Sequence, residues 1–282
     1  MSNILIPHPE KLQQLIVQFA HDGKEFFHVV ADFDRTLTSA YVDGKPRPGL
    51  ENIFQKEWHL WPEYTQKSKE RFEKYYPIEI DPAISVEEKK KIMPQRWIEV
   101  FNGMIAAWLR KDMIKSAMQS DQIQFRPWNE TFFALLEKNT IPLLIFSAGG
   151  LGFDGIQYCL EKHNKLYKNI GIIANTFIRD ENDKAIGVKE PIIHSFNKGE
   201  TVIKNFPIYT EIKERKNVLL LWDSLGDVHM ADGFDYNNII KIWFLNHDTP
   251  ENRALYLEKY DLLILDDGPM DEVNNILKKI LE

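Results

Sequence analysis

Short apolar runs recur along the chain, and most are separated by stretches with helical spacing. The runs are Phe26-Phe27-His28-Val29-Val30-Ala31-Asp32-Phe33, Pro142-Leu143-Leu144-Ile145-Phe146, Val218-Leu219-Leu220-Leu221-Trp222, Ile239-Ile240-Lys241-Ile242-Trp243-Phe244 and Leu262-Leu263-Ile264-Leu265. Continuous runs of this length suit strands buried on both faces. Residues 129–138, 153–163 and 251–258 carry helical patterns between them. Near the start, Leu12, Leu15, Ile16 and Phe19 predict a short amphipathic helix packed on the body. This alternation predicts an α/β fold with a doubly wound, mainly parallel sheet covered by helices. Ligands in such sheets bind beyond the carboxyl ends of the strands, at a topological switch point. That rule gives weight to Asp32 and Asp34 after the first run, Ser147 after the second, and Asp223 and Asp227 after the third.

Residues 45–125 break the alternation. The segment is rich in Glu, Lys, Trp and Met, and Trp97, Phe101, Met104 and Trp108 fall at helical spacing. It reads as an inserted helical cap, leaving residues 1–44 and 126–282 as the core. Pro77, Pro82 and Pro94 predict several helices rather than one rod. A polar turn from Arg179 to Gly187 predicts a hairpin connection. It is no calcium loop, because Pro191 sits where the closing glutamate is needed.

Composition narrows the function classes. The 282 residues suffice for a core domain with an insertion, and 44% hydrophobic with 27% charged residues describes a folded globular chain. A formal charge of −7 argues against a nucleic-acid polymer as partner, since backbone binding needs clustered Lys and Arg. The single cysteine, Cys159, excludes an intramolecular disulfide and a cysteine zinc cage, and it reads as a small buried residue on a helix. The first residues lack a signal-peptide pattern and no apolar run is long enough to span a bilayer, so no membrane partner and a cytoplasmic location are expected.

Two aspartates one residue apart at a strand end can present oxygens to one hard cation such as Mg2+. They can also divide labour, one attacking phosphorus while the other donates and accepts a proton. Attack by an anion on a phosphate dianion needs compensating positive charge. Lys198 can supply it, Ser147 with the Ala148-Gly149-Gly150 turn can hold phosphate oxygens, and Asp223 with Asp227 can complete a metal shell.

Asp-x-Asp-x-Thr, then Ser, then Lys, then Asp-x-x-x-Asp, in this chain order, resembles the four-part pattern of the haloacid-dehalogenase hydrolases. A narrower resemblance is to the cytosolic pyrimidine 5'-nucleotidases. It is carried by Tyr75-Tyr76-Pro77-Ile78-Glu79-Ile80-Asp81-Pro82, Ile145-Phe146-Ser147-Ala148-Gly149, Ile193-His194-Ser195-Phe196-Asn197-Lys198, Gly226-Asp227-Val228-His229-Met230-Ala231-Asp232-Gly233 and Ile242-Trp243-Phe244-Leu245-Asn246. The resemblance implies a haloacid-dehalogenase-like core and Mg2+-dependent hydrolysis of nucleoside 5'-monophosphates through an aspartyl-phosphate. It implies Asp32 as nucleophile and Asp34 as acid and base, with phosphate held by Ser147, Ala148 and Lys198. Mg2+ would be held by Asp32, Asp34 and Asp223, with Asp227 in support.

Three positions depart from the family pattern. Trp222 stands where glycine usually precedes the third-motif acid, and its indole must fit beside the metal site or point into the core. Arg96 takes the place of a cap glutamate that reads the base, and Asp43 that of an asparagine near the first loop. Arg96 is expected to pair with Asp43, to hold a second anionic group or to face solvent. Trp97, Phe101 and Trp108 either stack on a base or form cap core. The alternatives to a nucleotidase are a phosphatase of another small monoester and a catalytically silent phosphate-binding regulator.

Overall fold

The computed structural model describes residues 3–47, 49–57, 62–81, 83–198, 203–224, 235–247, 249, 253 and 259–282. In chain order, the first elements are strand β1 (Ile4–Leu5), helix α1 (Pro9–Asp22), β2 (Phe27–Ala31), β3 (Tyr41–Val42), β4 (Lys45–Pro46), α2 (Leu50–Glu57), α3 (Pro62–Ile80), α4 (Val86–Ala106) and α5 (Lys111–Ala117). There follow α6 (Asn129–Lys138), β5 (Leu143–Phe146), α7 (Gly152–Lys162), β6 (Ile170–Ile173), β7 (Phe177–Arg179), β8 (Ala185–Val188) and α8 (Ile208–Ile212). The last are β9 (Asn217–Trp222), β10 (Asn238–Leu245), β11 (Leu262–Leu265) and α9 (Asp271–Leu281). The expected helix at 251–258 lies outside the described residues.

Among the described residues, seven strands form the central sheet in the order β1-β11-β10-β9-β2-β5-β6. All neighbours pair in parallel except β1, which runs antiparallel on β11. The five apolar runs read from sequence are β2, β5, β9, β10 and β11. The short strands β1 and β6 carry weaker signals: two residues in one case, and a half-buried Ile170-Gly171-Ile172 stretch in the other. Every residue of β2, β5, β9 and β11 is buried, as expected for strands covered on both faces. Strand order reverses at β2, whose neighbours are β5 on one side and β9 on the other. The crevice at the ends of β2 and β9 is therefore the switch point.

The apolar face of α1 (Leu12, Ile16, Phe19) is buried, and α1 packs on α9 and β10. Between β2 and α6 lie the β3–β4 hairpin and the helices α2 to α5. Pro77 and Pro94 do not break them: both sit inside helices, α3 and α4. The cost of a missing N–H in mid-helix is offset by packing of the adjoining turns, where Tyr75, Met93 and Trp97 are buried. The actual break follows Ile80, and α4 restarts with a capping box in which Ser85 and Glu88 satisfy each other's main-chain N–H.

The expected hairpin is β7–β8. It attaches to the inserted helices through Ala185 N to Leu109 O (2.8 Å) and Lys111 N to Asp183 O (3.2 Å). The Arg179–Asp154 ion pair (2.5 Å) ties it to α7 of the core.

Candidate active site

Parallel pairing of β2 with β9 sets Ala31 opposite Leu221, so Asp32 and Asp223 leave adjacent strand ends. Asp32 N donates to Leu221 O at 3.1 Å, and Lys198 Nζ reaches Asp32 Oδ1 at 2.7 Å. Both side chains are nearly excluded from solvent, 10% exposed for the aspartate and 3% for the lysine. A charge pair this buried persists only with close geometry.

The segment after Asp32 winds into a turn. Leu37 N and Thr38 N both donate to Phe33 O, and Thr38 Oγ1 accepts from Arg35 N at 2.9 Å. Arg35 takes φ 64°, the left-handed conformation that such a turn demands. Thr36 Oγ1 donates to Asp223 Oδ1 at 3.3 Å, and Asn246 Nδ2 donates to Asp223 Oδ2 at 3.3 Å and to Arg35 O at 3.0 Å. The two threonines thus wind the loop and tie it to Asp223.

The Asp34 carboxylate accepts from Leu50 N at 3.2 Å and sits between two glycines. A Cβ at Gly49 would lie 3.3 Å from it, and one at Gly149 would lie 3.5 Å from its Oδ2. Burial pushes its carboxyl up to about 6, helped by the charge on Asp32 and opposed by the Leu50 bond and Arg35. A carboxyl in that range can both give and take a proton near neutrality. Ser147, 3% exposed, accepts on its hydroxyl from Gly149 N at 3.1 Å, which curls the Ala148-Gly149-Gly150 turn.

These groups line one cavity of about 260 Å³ that contains Asp32, Asp34, Ser147, Ala148, Lys198 and Asp223. Arg96 and Trp97 close it from α4, Glu79 from α3, and Glu51 and Asn52 from α2. Asp227 and His229 lie outside the described residues. Asp43 is not brought to the cavity: it is exposed at the β3–β4 turn with φ 52°. Nor is it the partner of Arg96, which pairs with Glu79. Trp97 and Phe101 stack on each other at 5.8 Å as part of the core, with Trp97 also edging the cavity. Trp108 is 65% exposed and lies under Lys184. Trp222 points into the core, 1% exposed, with Nε1 donating to Tyr260 Oη at 3.2 Å. Cys159 is buried on α7, and burial pushes its thiol up to about 12.

Glu79, Asn52 and Glu51 escaped the sequence reading as cavity residues. Only Glu79 left a signal, as a member of the Tyr75 to Pro82 segment. Among the described residues no three His, Cys, Asp or Glu side chains converge on one point. A cation here would be held by two carboxylates, Asp32 and Asp223, with the Asp34 main-chain carbonyl. That donor set suits Mg2+, which takes one or two carboxylates and keeps several waters.

The sequence model of the pyrimidine 5'-nucleotidase (UMPH-1) family matches residues 35–281. The chain belongs to this family. Its members are phosphoric monoester hydrolases, and the match covers most of this chain. It is 35% identical to the 7-methylguanosine phosphate-specific 5'-nucleotidase A of Xenopus laevis over 271 residues, 96% of this chain and 93% of that protein. It is also similar to the crystal structure of cytosolic 5'-nucleotidase IIIB bound to cytidine, with TM-score 0.86 and 27% identity over 99% of this chain and 94% of the other. The core fold extends further. A haloacid-dehalogenase family hydrolase of Salmonella enterica serovar Typhi shares it at TM-score 0.53 and 12% identity, over 91% of this chain and 72% of that one. Among the described residues no helix is long and apolar enough to cross a membrane.

Proposed function

We propose that this family member hydrolyses nucleoside 5'-monophosphates to nucleoside and inorganic phosphate, with Asp32 as nucleophile. The observation that carries the reading is Lys198 Nζ at 2.7 Å from Asp32 Oδ1 in a cavity that also holds Asp34, Ser147 and Asp223. An Asp32 oxygen attacks phosphorus, the bond from phosphorus to the 5' oxygen breaks, and Asp34 gives its proton to the departing oxygen. Water then attacks the aspartyl-phosphate, its proton returns to Asp34, and the bond from phosphorus to Asp32 breaks. Lys198, the Ser147 hydroxyl and the N–H groups of the following turn hold the phosphate oxygens. Asp32, Asp223 and the Asp34 main-chain carbonyl would hold Mg2+, which when bound would supply positive charge against the phosphate dianion.

Residues 45–125 act as a cap over the core of residues 1–44 and 126–282, and α2, α3 and α4 bring Asn52, Glu79 and Arg96 over the cavity. Closure of such a cap excludes bulk water during attack. A nucleoside monophosphate as substrate is supported by the relatives, one named for 7-methylguanosine phosphate and one solved with cytidine. The word cytosolic in the second name supports a cytoplasmic location.

The test is phosphate release from CMP, UMP, GMP, 7-methyl-GMP and sugar phosphates at matched concentrations, with and without Mg2+. Release from nucleotides that requires Mg2+ and disappears in Asp32→Asn is expected. Preference for sugar phosphates would point to another monoester, and binding of Mg2+ and nucleotide without turnover to a silent regulator.

A further inference from the structure

Lys198 belongs to a loop held at two ends, one in the catalytic cavity and the other in the inserted helices. Phe196, 5% exposed, forms a small apolar cluster with buried Tyr75 and Met93, against which Ile78, Val86 and Ile92 pack. All five partners belong to α3 or α4. Lys89 on α4 lies 5.5 Å over the Phe196 ring. One residue earlier, Ser195 Oγ donates to Glu79 Oε1 at 2.9 Å, and the other oxygen of Glu79 takes the guanidinium of Arg96. Glu79 therefore joins α3, α4 and the lysine loop through one carboxylate.

The loop between these anchors is stiff. His194 N donates to Asn197 Oδ1 (2.7 Å), Asn197 N to His194 O (3.1 Å) and Asn197 Nδ2 to Ile192 O (2.8 Å). At its base, Asn175 pins Ile193 in both directions, accepting from Ile193 N at 2.8 Å and donating to Ile193 O at 2.9 Å. A displacement of Phe196 has no slack to absorb it before Lys198, two residues on.

We propose that Phe196 and Glu79 are positioning residues through which the inserted helices set Lys198 against Asp32, so that cap placement and phosphate grip are one event. This inference rests on the phosphatase reading of the cavity. With the cap seated, Phe196 fills its cluster and Lys198 stands on the nucleophile. With the cap displaced, the loop loses the Phe196 cluster and the Ser195–Glu79 bond, and the lysine loses its aim.

The test compares Phe196→Ala, Phe196→Leu, Glu79→Gln and Ser195→Ala with wild type and with Lys198→Met. The readouts are kcat and KM on the best nucleotide of the panel, and the affinity for inorganic phosphate with Mg2+ by calorimetry. Phe196→Ala is expected to lower both kcat and phosphate affinity by about tenfold, the scale of a small misplacement of a catalytic group, and Phe196→Leu to restore most of it. In the Lys198→Met background, adding Phe196→Ala should change either quantity by no more than about twofold, because effects that act through one residue do not multiply. Full multiplication of the two losses, or wild-type phosphate affinity in Phe196→Ala, overturns the inference. Should Phe196→Ala not fold, Glu79→Gln and Ser195→Ala carry the same comparison with Lys198→Met. A wild type that neither turns over nor binds phosphate overturns the underlying reading, a different result from an active wild type whose variants are indifferent.

Discussion

Arg126 donates from Nε to the Thr36 carbonyl at 2.7 Å, inside the loop that follows Asp32. Its guanidinium is wholly buried, lies 4.0 Å from the Phe244 ring centre, donates to Gly268 O at 2.8 Å and pairs with Asp267 at 2.9 Å. It also donates to Arg35 O and to Asn246 Oδ1, and Asn246 in turn holds Asp223. Burial pulls its pKa down to about 10, opposed by Asp267 and Asp223, so it stays charged at neutral pH. Arg126→Met takes the charge partner from Asp267, which keeps the Ala40 and Tyr41 N–H groups, and removes the donor of several carbonyls, and should cost about 3–5 kcal/mol in urea unfolding. Arg126→Lys should recover only part, because an ammonium lacks the planar fork. Wild-type stability in Arg126→Met would mean that this network does not hold the loop.

His28 should make the protein acid-sensitive. It is buried in β2 with Nδ1 3.1 Å from the Arg215 carbonyl, and burial, the largest cause, pulls its pKa from 6.5 to about 3. Above pH 6.5 the ring is neutral folded and unfolded, and nothing is gained or lost. Between 6.5 and 3 the unfolded chain takes a proton that the folded one refuses, so stability falls as pH falls. The slope is about 1.4 kcal/mol per pH unit for one such group. His194, pulled down to about 4 mainly by burial, adds in the same direction. Urea midpoints at pH 7 and pH 5 should differ, and His28→Gln should flatten the difference by about one proton's worth. An equal pH dependence in that variant counts against a neutral buried His28.

The sheet was legible because β2, β5, β9 and β11 are buried on both faces and read as unbroken apolar runs. Asp32, Asp34, Ser147 and Asp223 were legible because strand ends at a switch point are where such sheets place chemistry. Asp43 and the pairing of Arg96 were not. A loop position and a helix face have no fixed register with the core, so counting along the chain cannot say which side chain reaches the cavity. Arg126 was invisible for a different reason: sequence does not distinguish an arginine with five buried acceptors around it from one in water.

Gly152 should tolerate no side chain. It has φ 55°, and a Cβ there would stand 1.9 Å from the Asn175 carbonyl oxygen, which also accepts from Phe153 N at 2.8 Å. Gly152→Ala must therefore move Asn175, the residue that pins Ile193 at the base of the lysine loop. The expected cost is about 3 kcal/mol, combining left-handed backbone strain with a forced shift. Asn175→Ala, made for comparison, should weaken activity more than Gly152→Ala does if the loop's base matters for Lys198. Equal stability of Gly152→Ala and wild type in urea would rule out this close approach.

Trp222, which the sequence resemblance sets where glycine usually precedes the third-motif acid, tests whether a bulky residue beside Asp223 serves the site or the core. Its indole is buried, meets the Tyr260 ring at 5.3 Å and donates to the Tyr260 hydroxyl, while Tyr260 in turn lies 4.9 Å from Trp243. Three aromatic rings thus fill the space beneath β9 and β10, away from the cavity that holds Asp32. Trp222→Ala should cost about 3–5 kcal/mol through the lost contacts and the void. Trp222→Phe should cost less, about 1 kcal/mol for the hydrogen bond plus the smaller ring's shortfall in volume. Because the indole is buried against Tyr260 and does not line the cavity that holds Asp32, kcat per folded molecule in Trp222→Phe should stay within about threefold of wild type. A large fall in kcat with unchanged urea stability would place the indole in the site instead, since a core role cannot remove activity without removing stability.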